Sequence, residues 1–410
     1  MAISKKAWTG TAREATPGTA VTPPTQYHPA KAVFKGTKKR EYLNEERGDR
    51  NANYGVVDSI RQSSIEISGP YYPDVGPIQL WGWMGLPTSA QPAATTNPSV
   101  WQHTFALADI PPSYTVARNL DARAYTVPYS VVEKLDFQFT ADGKLFEVKS
   151  SWVGMFAQIY ASPPVPTFST VLPMAGYAPT LKFVDNVVSN DVADMTINFV
   201  QKVTLWYPAN GSPDFVTVYF GERSMTVDMT ARFDNDTLYQ RFRNNVQDSL
   251  TFDIKGAAIG KNQVVTLGSP SAGNFTLTYN GQTTGNIVFN ATASAVQTAL
   301  QGLTGVGANA TVQGSAGGPY TVIFAGPLLN DGLLLSGSGA GLTGGTFAVG
   351  APTFYNHELN IVIPQLSWDS MEHDLSKDNV LIKAKGTAIV PAGASLITGF
   401  AQNTVSSYTT

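Results

Sequence analysis

The sequence predicts a mainly β fold made of two similar β units, each with one flanking helix, and a small α+β domain inserted into the second unit. Three observations predict it. Short polar–apolar alternations bounded by Gly, Asn and Pro turns fill most of the 410 residues. The order strand, strand, helix, two hairpins occurs twice, at roughly residues 30–160 and 176–395. Between Gln263 and Pro352 the only charged residue is Asp331, a composition shift that marks an insertion. The expected divisions are an arm over 1–29, a first unit over 30–160, a second unit in two pieces over 176–262 and 353–395, the insert over 263–352, and a tail over 396–410.

The arm contains Glu14-Ala-Thr-Pro-Gly-Thr-Ala-Val-Thr-Pro-Pro-Thr25, where proline disfavours helix and leaves the backbone extended, free to pair with a neighbour. Lys31–Phe34 reads as a strand. The run Gly36 to Arg50 that follows is the densest charge cluster in the chain and reads as a solvated or interfacial loop. Ser63–Ser68 alternates as a half-buried strand. Pro77 opens a helix that buries Ile78 and Trp81. His103–Leu107 and Ser113–Ala117 are expected to form a hairpin around Pro111-Pro112. Val132–Thr140 and Leu145–Trp152 form a second hairpin around Asp142-Gly143, the strongest such signal in the chain.

The second unit repeats this order. Val200–Trp206 and Ser224–Thr230 are strands, and Asp234 or Asp236 caps a helix presenting Leu238, Tyr239 and Phe242. Ser249–Ile254 pairs with Glu358–Ile363, and Leu366–Ser370 with Val380–Ile389. In the insert, Asn274–Tyr279 turns through Asn280-Gly281 toward Asn286–Phe289. A helix over Ala291–Leu300 and a strand over Tyr320–Phe324 complete it. An insertion of this kind is tolerated at a loop tip, so it should project outward.

Composition narrows the function. Charged residues are only 14% of the chain, which suits a protein that covers its surface with copies of itself. With no cysteine, disulfides and thiolate metal sites are excluded. A net charge of -3 argues against a dedicated nucleic-acid binder. The opening Met1–Trp8 lacks the apolar core of a signal peptide.

Little points to catalysis. His28, His103, His357 and His373 are scattered and lack metal-site spacing. Glu372 and Asp374 flank His373 as a polar turn. Gly339-Ala-Gly-Leu-Thr-Gly344 matches a dinucleotide loop on paper, but Gly345–Gly350 after it cannot extend a helix to hold a pyrophosphate. No G-x-S-x-G serine elbow occurs. The expectation is a protein without enzymatic activity and without a cofactor or metal.

Taken together, Glu14–Pro23, His103–Asp109, Phe233–Phe242, Ile361–Trp368 and Val380–Lys385 resemble, in that order, the tail tube (major tail) proteins of long-tailed bacteriophages. The insert, through Asn274–Thr283 and Ala295–Leu300, resembles a small module of structural proteins from phages of actinobacteria. The resemblance implies β-sandwich or barrel-like units that close into rings, which stack around a channel for DNA passage during ejection. Relatives with one unit per chain form hexamers, and relatives with a fused pair form trimers of pseudo-sixfold symmetry. The duplication favours the trimer. Expected partners are other copies of the chain, a tape measure protein and tail terminator and tip proteins, with DNA only in transit. The expected place is the virion tail, assembled in the host cytoplasm.

Two groups of residues are candidates for assembly. Lys38, Lys39, Arg40, Glu41, Glu45, Glu46, Arg47, Asp49 and Arg50 are expected to bridge stacked rings, with mixed charges fixing register. Glu133, Asp136, Asp142 and Glu147 are expected on strands lining the channel. Duplex DNA carries one charge per roughly 1.7 Å, so a basic lining would hold it. The low charge and many hydroxyl and amide groups of the insert suit weak contact with host-surface glycans. A phage or cell-surface adhesin of stacked β domains is the alternative; it predicts a secretion signal or an aromatic carbohydrate cleft. A β-rich hydrolase would need a paired-carboxylate site.

Overall fold

The computed structural model describes residues 6–47, 53–92, 97–142, 144–183, 187–233, 236–375 and 380–408. Nine strands carry the architecture: β1 (Lys31–Tyr42), β2 (Val56–Pro70), β3 (Ala124–Thr140), β4 (Glu147–Gly154), β5 (Val192–Trp206), β6 (Thr217–Arg232), β7 (Asp248–Leu267), β8 (Thr353–Asp374) and β9 (Leu381–Ala388). The helices are α1 (Pro77–Met84), α2 (Thr237–Arg243) and, in the insert, α3 (Ala293–Gln301).

Eight of the strands form one antiparallel run in the order β1-β2-β4-β3-β5-β6-β9-β8. The first four come from the first unit and the last four from the second. The two quartets are wired identically: a long hairpin, then the second strand of a later hairpin, then its first strand. Their irregularities also coincide. The register slips between Lys38 and Arg40 in the β1–β2 hairpin, and between Gln201 and Val203 in β5–β6. It slips again between Val132 and Lys134 in β3, and between Trp368 and Ser370 in β8. Phe34 opposite Ile65 therefore corresponds to Ile197 opposite Val227. Bulges are specific local features, so their coincidence makes the internal duplication concrete.

Alternation sends one side of these strands into a common core, except along Lys35–Tyr42 of β1, which is exposed on both sides. Ile65, Trp152, Phe137, Phe199, Val227, Phe252, Ile361 and Trp368 belong to a single buried cluster spanning both units. Helix α1 is buried along its whole length, with Trp83 edge-on to Phe199 and Trp81 edge-on to Phe105. Pro77 begins this helix because its missing N–H costs nothing in the first turn. Helix α2 is more exposed, resting Leu238 and Phe242 on the core. Asp236 stands at its N-cap position without a side-chain capping bond, and Asp234 lies outside the described residues.

Three expectations are corrected. The charge-rich stretch after Gly36 is not a loop at its start, because β1 continues to Tyr42 against β2. The arm is not free: Trp8–Arg13 pairs with Gln26–His28 and with Tyr114–Asn119 of its own chain. The buried Glu14 carboxylate fastens it by accepting from Ser113 Oγ and Thr115 Oγ1, both 2.8 Å, and from the amides of Gly18 (2.9 Å) and Tyr129 (2.8 Å). Trp101–Thr104 and Tyr114–Asn119 do not pair with each other; the former lies between Thr88–Ala90 and Thr398–Asn403. The C-terminal tail is a strand, Thr398–Asn403, that joins β8 to the first unit.

The insert has its own core, in which Phe275, Leu277, Val296, Leu300, Tyr320 and Val322 are buried. Strands β7 and β8 run out of the host and remain paired as far as Asn262 opposite Thr353. From Lys261 onward β7 also pairs with Tyr320–Phe324, and from Val265 with Phe347–Val349. The Asn280-Gly281 turn adopts positive φ at both residues, as a tight two-residue hairpin turn requires.

Candidate assembly surface

The side of the eight-stranded run that faces away from the core carries charge. Asp136 on β3 is ion-paired to Lys134 at 3.0 Å, and Glu66 on β2 meets Lys149 on β4 at 3.5 Å. On the second quartet, Asn198 donates to Asp228 at 2.8 Å, and Lys383 holds Asp374 at 2.7 Å. A shallow trough of about 310 Å³ runs here between Asp194, Asp228, Glu372, Lys383 and Lys385. Lysines of β3, β4 and β9 stand beside carboxylates of β2, β3, β6 and β8, while Asp194 of β5 and Asp228 of β6 lie on adjacent strands with no lysine between them, so no basic patch forms.

The four candidate lining residues divide. Asp136 and Glu147 lie on this outward side, with Asp136 opposite Lys149 and Glu147 opposite Gln138. Glu133 sits at the β3 bulge, and burial raises its carboxyl above the ordinary range. Asp142 is in the turn beyond β3, 3.5 Å from Lys144. The residues not singled out by sequence, Asp194, Asp228, Lys383 and Lys385, follow from strict alternation in β5, β6 and β9.

The other candidate group lies along one projecting hairpin. Lys38 and Arg40 share Asp58 of β2 at 3.3 and 2.9 Å, and Lys39 meets Glu41 at 3.3 Å. Arg47 pairs with Glu45 at 2.5 Å and stacks over Tyr54. Glu46 is exposed, whereas Asp49 and Arg50 lie outside the described residues. Exposed Tyr42, Val56 and Val57 share this hairpin with the charges.

The histidines do not converge. Burial lowers His28 to about 4, with Thr11 Oγ1 2.9 Å from its Nε2. His103 is buried between Ser89 and Asn403, and burial lowers it as well. His357 is lowered to about 4 by burial, and exposed His373 stands between the rings of Phe233 and Tyr239. Gly339–Thr343 is part of a strand, Ser336–Thr343, not the opening of a helix. Among the described residues no three potential metal ligands cluster.

The chain is 32% identical over 189 residues to a tail sheath protein of Mycobacterium phage Bxz1, a match that covers 45% of this chain and 29% of that protein. The chain thus spans under a third of that relative's length. Residues 9–302, more than half of the chain, match the phage tail tube protein family. The chain belongs to the phage tail tube protein family.

Proposed function

We propose that this chain is the repeating, non-enzymatic subunit of a phage tail tube, whose copies close into rings that stack around a channel for DNA. One observation carries the reading: eight strands form a continuous sheet with a buried side, an open side of mixed charge and, among the described residues, one strand edge at each end, along β1 and along Ser367–Asp374 of β8, that pairs with no strand. A row of unpaired backbone groups is an aggregation hazard unless something completes it, and closure into a ring completes both ends at once. The duplicated quartets make each copy two nearly equivalent segments of that ring, so three copies give pseudo-sixfold symmetry.

The open side is then the channel lining. Its interleaved lysines and carboxylates offer DNA phosphates no basic track to hold them. The charged β1–β2 hairpin reaches toward the next ring, and a repeated axial contact that does not close builds a filament. Its length is set by other tail components, of which a tape measure and a terminator are the expected kinds. Assembly takes place in the host cytoplasm.

Negative-stain microscopy of the purified chain tests the reading. Rings or tubes with an open centre are the expected result. Isolated particles at every concentration tested would refute it.

A further inference from the structure

The junction between the two quartets inside one chain supplies a template for the contact between chains. There β3 pairs with β5, with Lys134 opposite Val200, Asp136 opposite Asn198 and Gln138 opposite Thr196. The coincident bulges fix which residues correspond in the other quartet. Lys134, Asp136 and Gln138 of β3 correspond to Ser370, Glu372 and Asp374 of β8. Val200, Asn198 and Thr196 of β5 correspond to Thr37, Lys35 and Val33 of β1. Yet no further strand lies on the corresponding edges: among the described residues β1 pairs with the strand β2 alone, and Ser367–Asp374 with the strand β9 alone.

Resting on the tube reading above, we infer that the β8 edge of one copy adds to the β1 edge of a second copy in the register of the β3–β5 junction, placing Glu372 opposite Lys35. Charge supports this occupant over any other. Strand β1 carries Lys31, Lys35, Lys38, Lys39 and Arg40 against the single Glu41, whereas Ser367–Asp374 carries Asp369, Glu372 and Asp374 with no lysine or arginine. The edges are therefore complementary to each other and repel themselves, which enforces head-to-tail addition and opposes β1–β1 or β8–β8 pairing. Inside the chain the equivalent pair, Asp136 and Asn198, has no opposite charge across it, since that junction is covalently guaranteed. The cross-chain pair is where selection of a partner is needed. On the core side the same register sets His373 against Phe34 and Met371 against Gly36, so a small residue meets the long side chain.

Since the chain has no cysteine, the register can be read by crosslinking. The variant Lys35→Cys/Glu372→Cys, treated with a short thiol-reactive crosslinker in assembled tubes, should give a ladder of covalent oligomers. Directly opposed strand residues bring their Cβ atoms within about 5.5 Å. The variant Lys31→Cys/Ser370→Cys should give none, because in this register its thiols are about 20 Å apart along the strands. A ladder from the second variant, or tubes in which the first stays monomeric on the gel, overturns the register while leaving the tube reading intact. A second arm uses charge. Glu372→Lys should abolish assembly, with the monomer's circular dichroism unchanged, and Lys35→Glu/Glu372→Lys should restore it. Assembly of Glu372→Lys at the parent's level overturns the inference. If the parent itself never assembles, this inference and the tube reading fall together.

Discussion

Arg61 and Arg223 occupy equivalent positions at the bulges of their two long hairpins, and they reach in different directions. Arg223 reaches back into the first unit, donating to the carbonyl of Ala108 and, on its own hairpin, to Gln201 Oε1, each at 2.6 Å, with its guanidinium over Trp83. Arg61 crosses between units and grips Asp214 with two bonds of 2.8 and 2.7 Å, while its guanidinium stacks over Phe156. Its amide donates to the Pro213 carbonyl, and Tyr207 donates to Gln62, so the two hairpins are clasped together.

This clasp should stabilise the pairing of the two units. A two-pronged, partly exposed pair of this kind is worth about 1 kcal/mol. Arg61→Ala should lower the melting temperature by a few degrees, and Asp214→Ala by a similar amount. The double variant should cost little beyond either one, because both remove the same contact. Additive losses in thermal denaturation would show that the two side chains act separately.

Lys261 offers a sharper case. It is 1% exposed and donates to Asp331 Oδ1 at 3.0 Å, to Tyr279 Oη at 3.2 Å and to the carbonyls of Leu328 (3.1 Å) and Leu333 (2.5 Å). Phe324 and Tyr279 cover it. The insert's one charged residue is thus committed to a lysine at its border with the host. Asp331→Ala would leave a buried ammonium without its counter-charge, at a cost of about 3–5 kcal/mol. Hydrogen exchange should show the insert opening while the eight-stranded sheet keeps its protection. Lys261→Met/Asp331→Leu should recover much of the loss, since replacing both charges with apolar groups removes the desolvation penalty.

How much of this was legible beforehand depended on whether neighbours in sequence were also neighbours in space. The Asp142 hairpin and Pro77 at the start of α1 were readable because local patterning decides them. The extension of β1 was not, since Lys35–Tyr42 is exposed on both sides and so loses the period-two signal. The pairing of His103 with Ala401 is set by contacts nearly three hundred positions apart along the chain, which no local pattern shows. Gly399 illustrates the same point. It has a φ of 140° and lies so close to the Asn360 carbonyl that a Cβ would stand 2.1 Å from that oxygen. That requirement marks a strand only once its partner is known. Among the candidate assembly residues, alternation placed Asp136 and Glu147 on one side of the sheet. Glu133, an odd number of positions before Asp136, falls on the other side by alternation alone, and the bulge between Val132 and Lys134 was not legible.

Removing the insert tests whether it is peripheral to assembly. Asn262 and Thr353 face each other across β7 and β8, so residues 263–352 can be replaced by a two-residue Asn-Gly turn without moving either strand. Lys261 should be changed to Thr in the same chain, because its partners leave with the insert. The expected result is tubes of unchanged inner diameter and smaller outer diameter by electron microscopy. Failure to assemble, with the β content intact by circular dichroism, would assign the insert a part in ring contacts.

Glu358 on β8 is raised to about 7, first by burial and then by Asp253 beside it, while Lys255 at 3.7 Å acts in the opposite sense. In the unfolded chain the same carboxyl titrates near its ordinary value of about 4.3. Between those two values the folded protein retains a proton that the unfolded chain has released. Stability from this group is therefore present below about pH 4 and lost as pH rises toward 7. Glu358→Gln keeps the hydrogen-bonding shape without the charge, so it should match the parent at low pH. At about pH 8 it should exceed the parent by on the order of 1 kcal/mol. His28 and His357, both lowered to about 4, act with the opposite sign: the unfolded chain binds their protons first, and stability falls as pH drops below the ordinary histidine value. They are common to both proteins and cancel in the difference. Urea denaturation of the two proteins across this range, before assembly, gives that difference directly. A flat difference would mean that Glu358 is ionised in the folded chain at neutral pH.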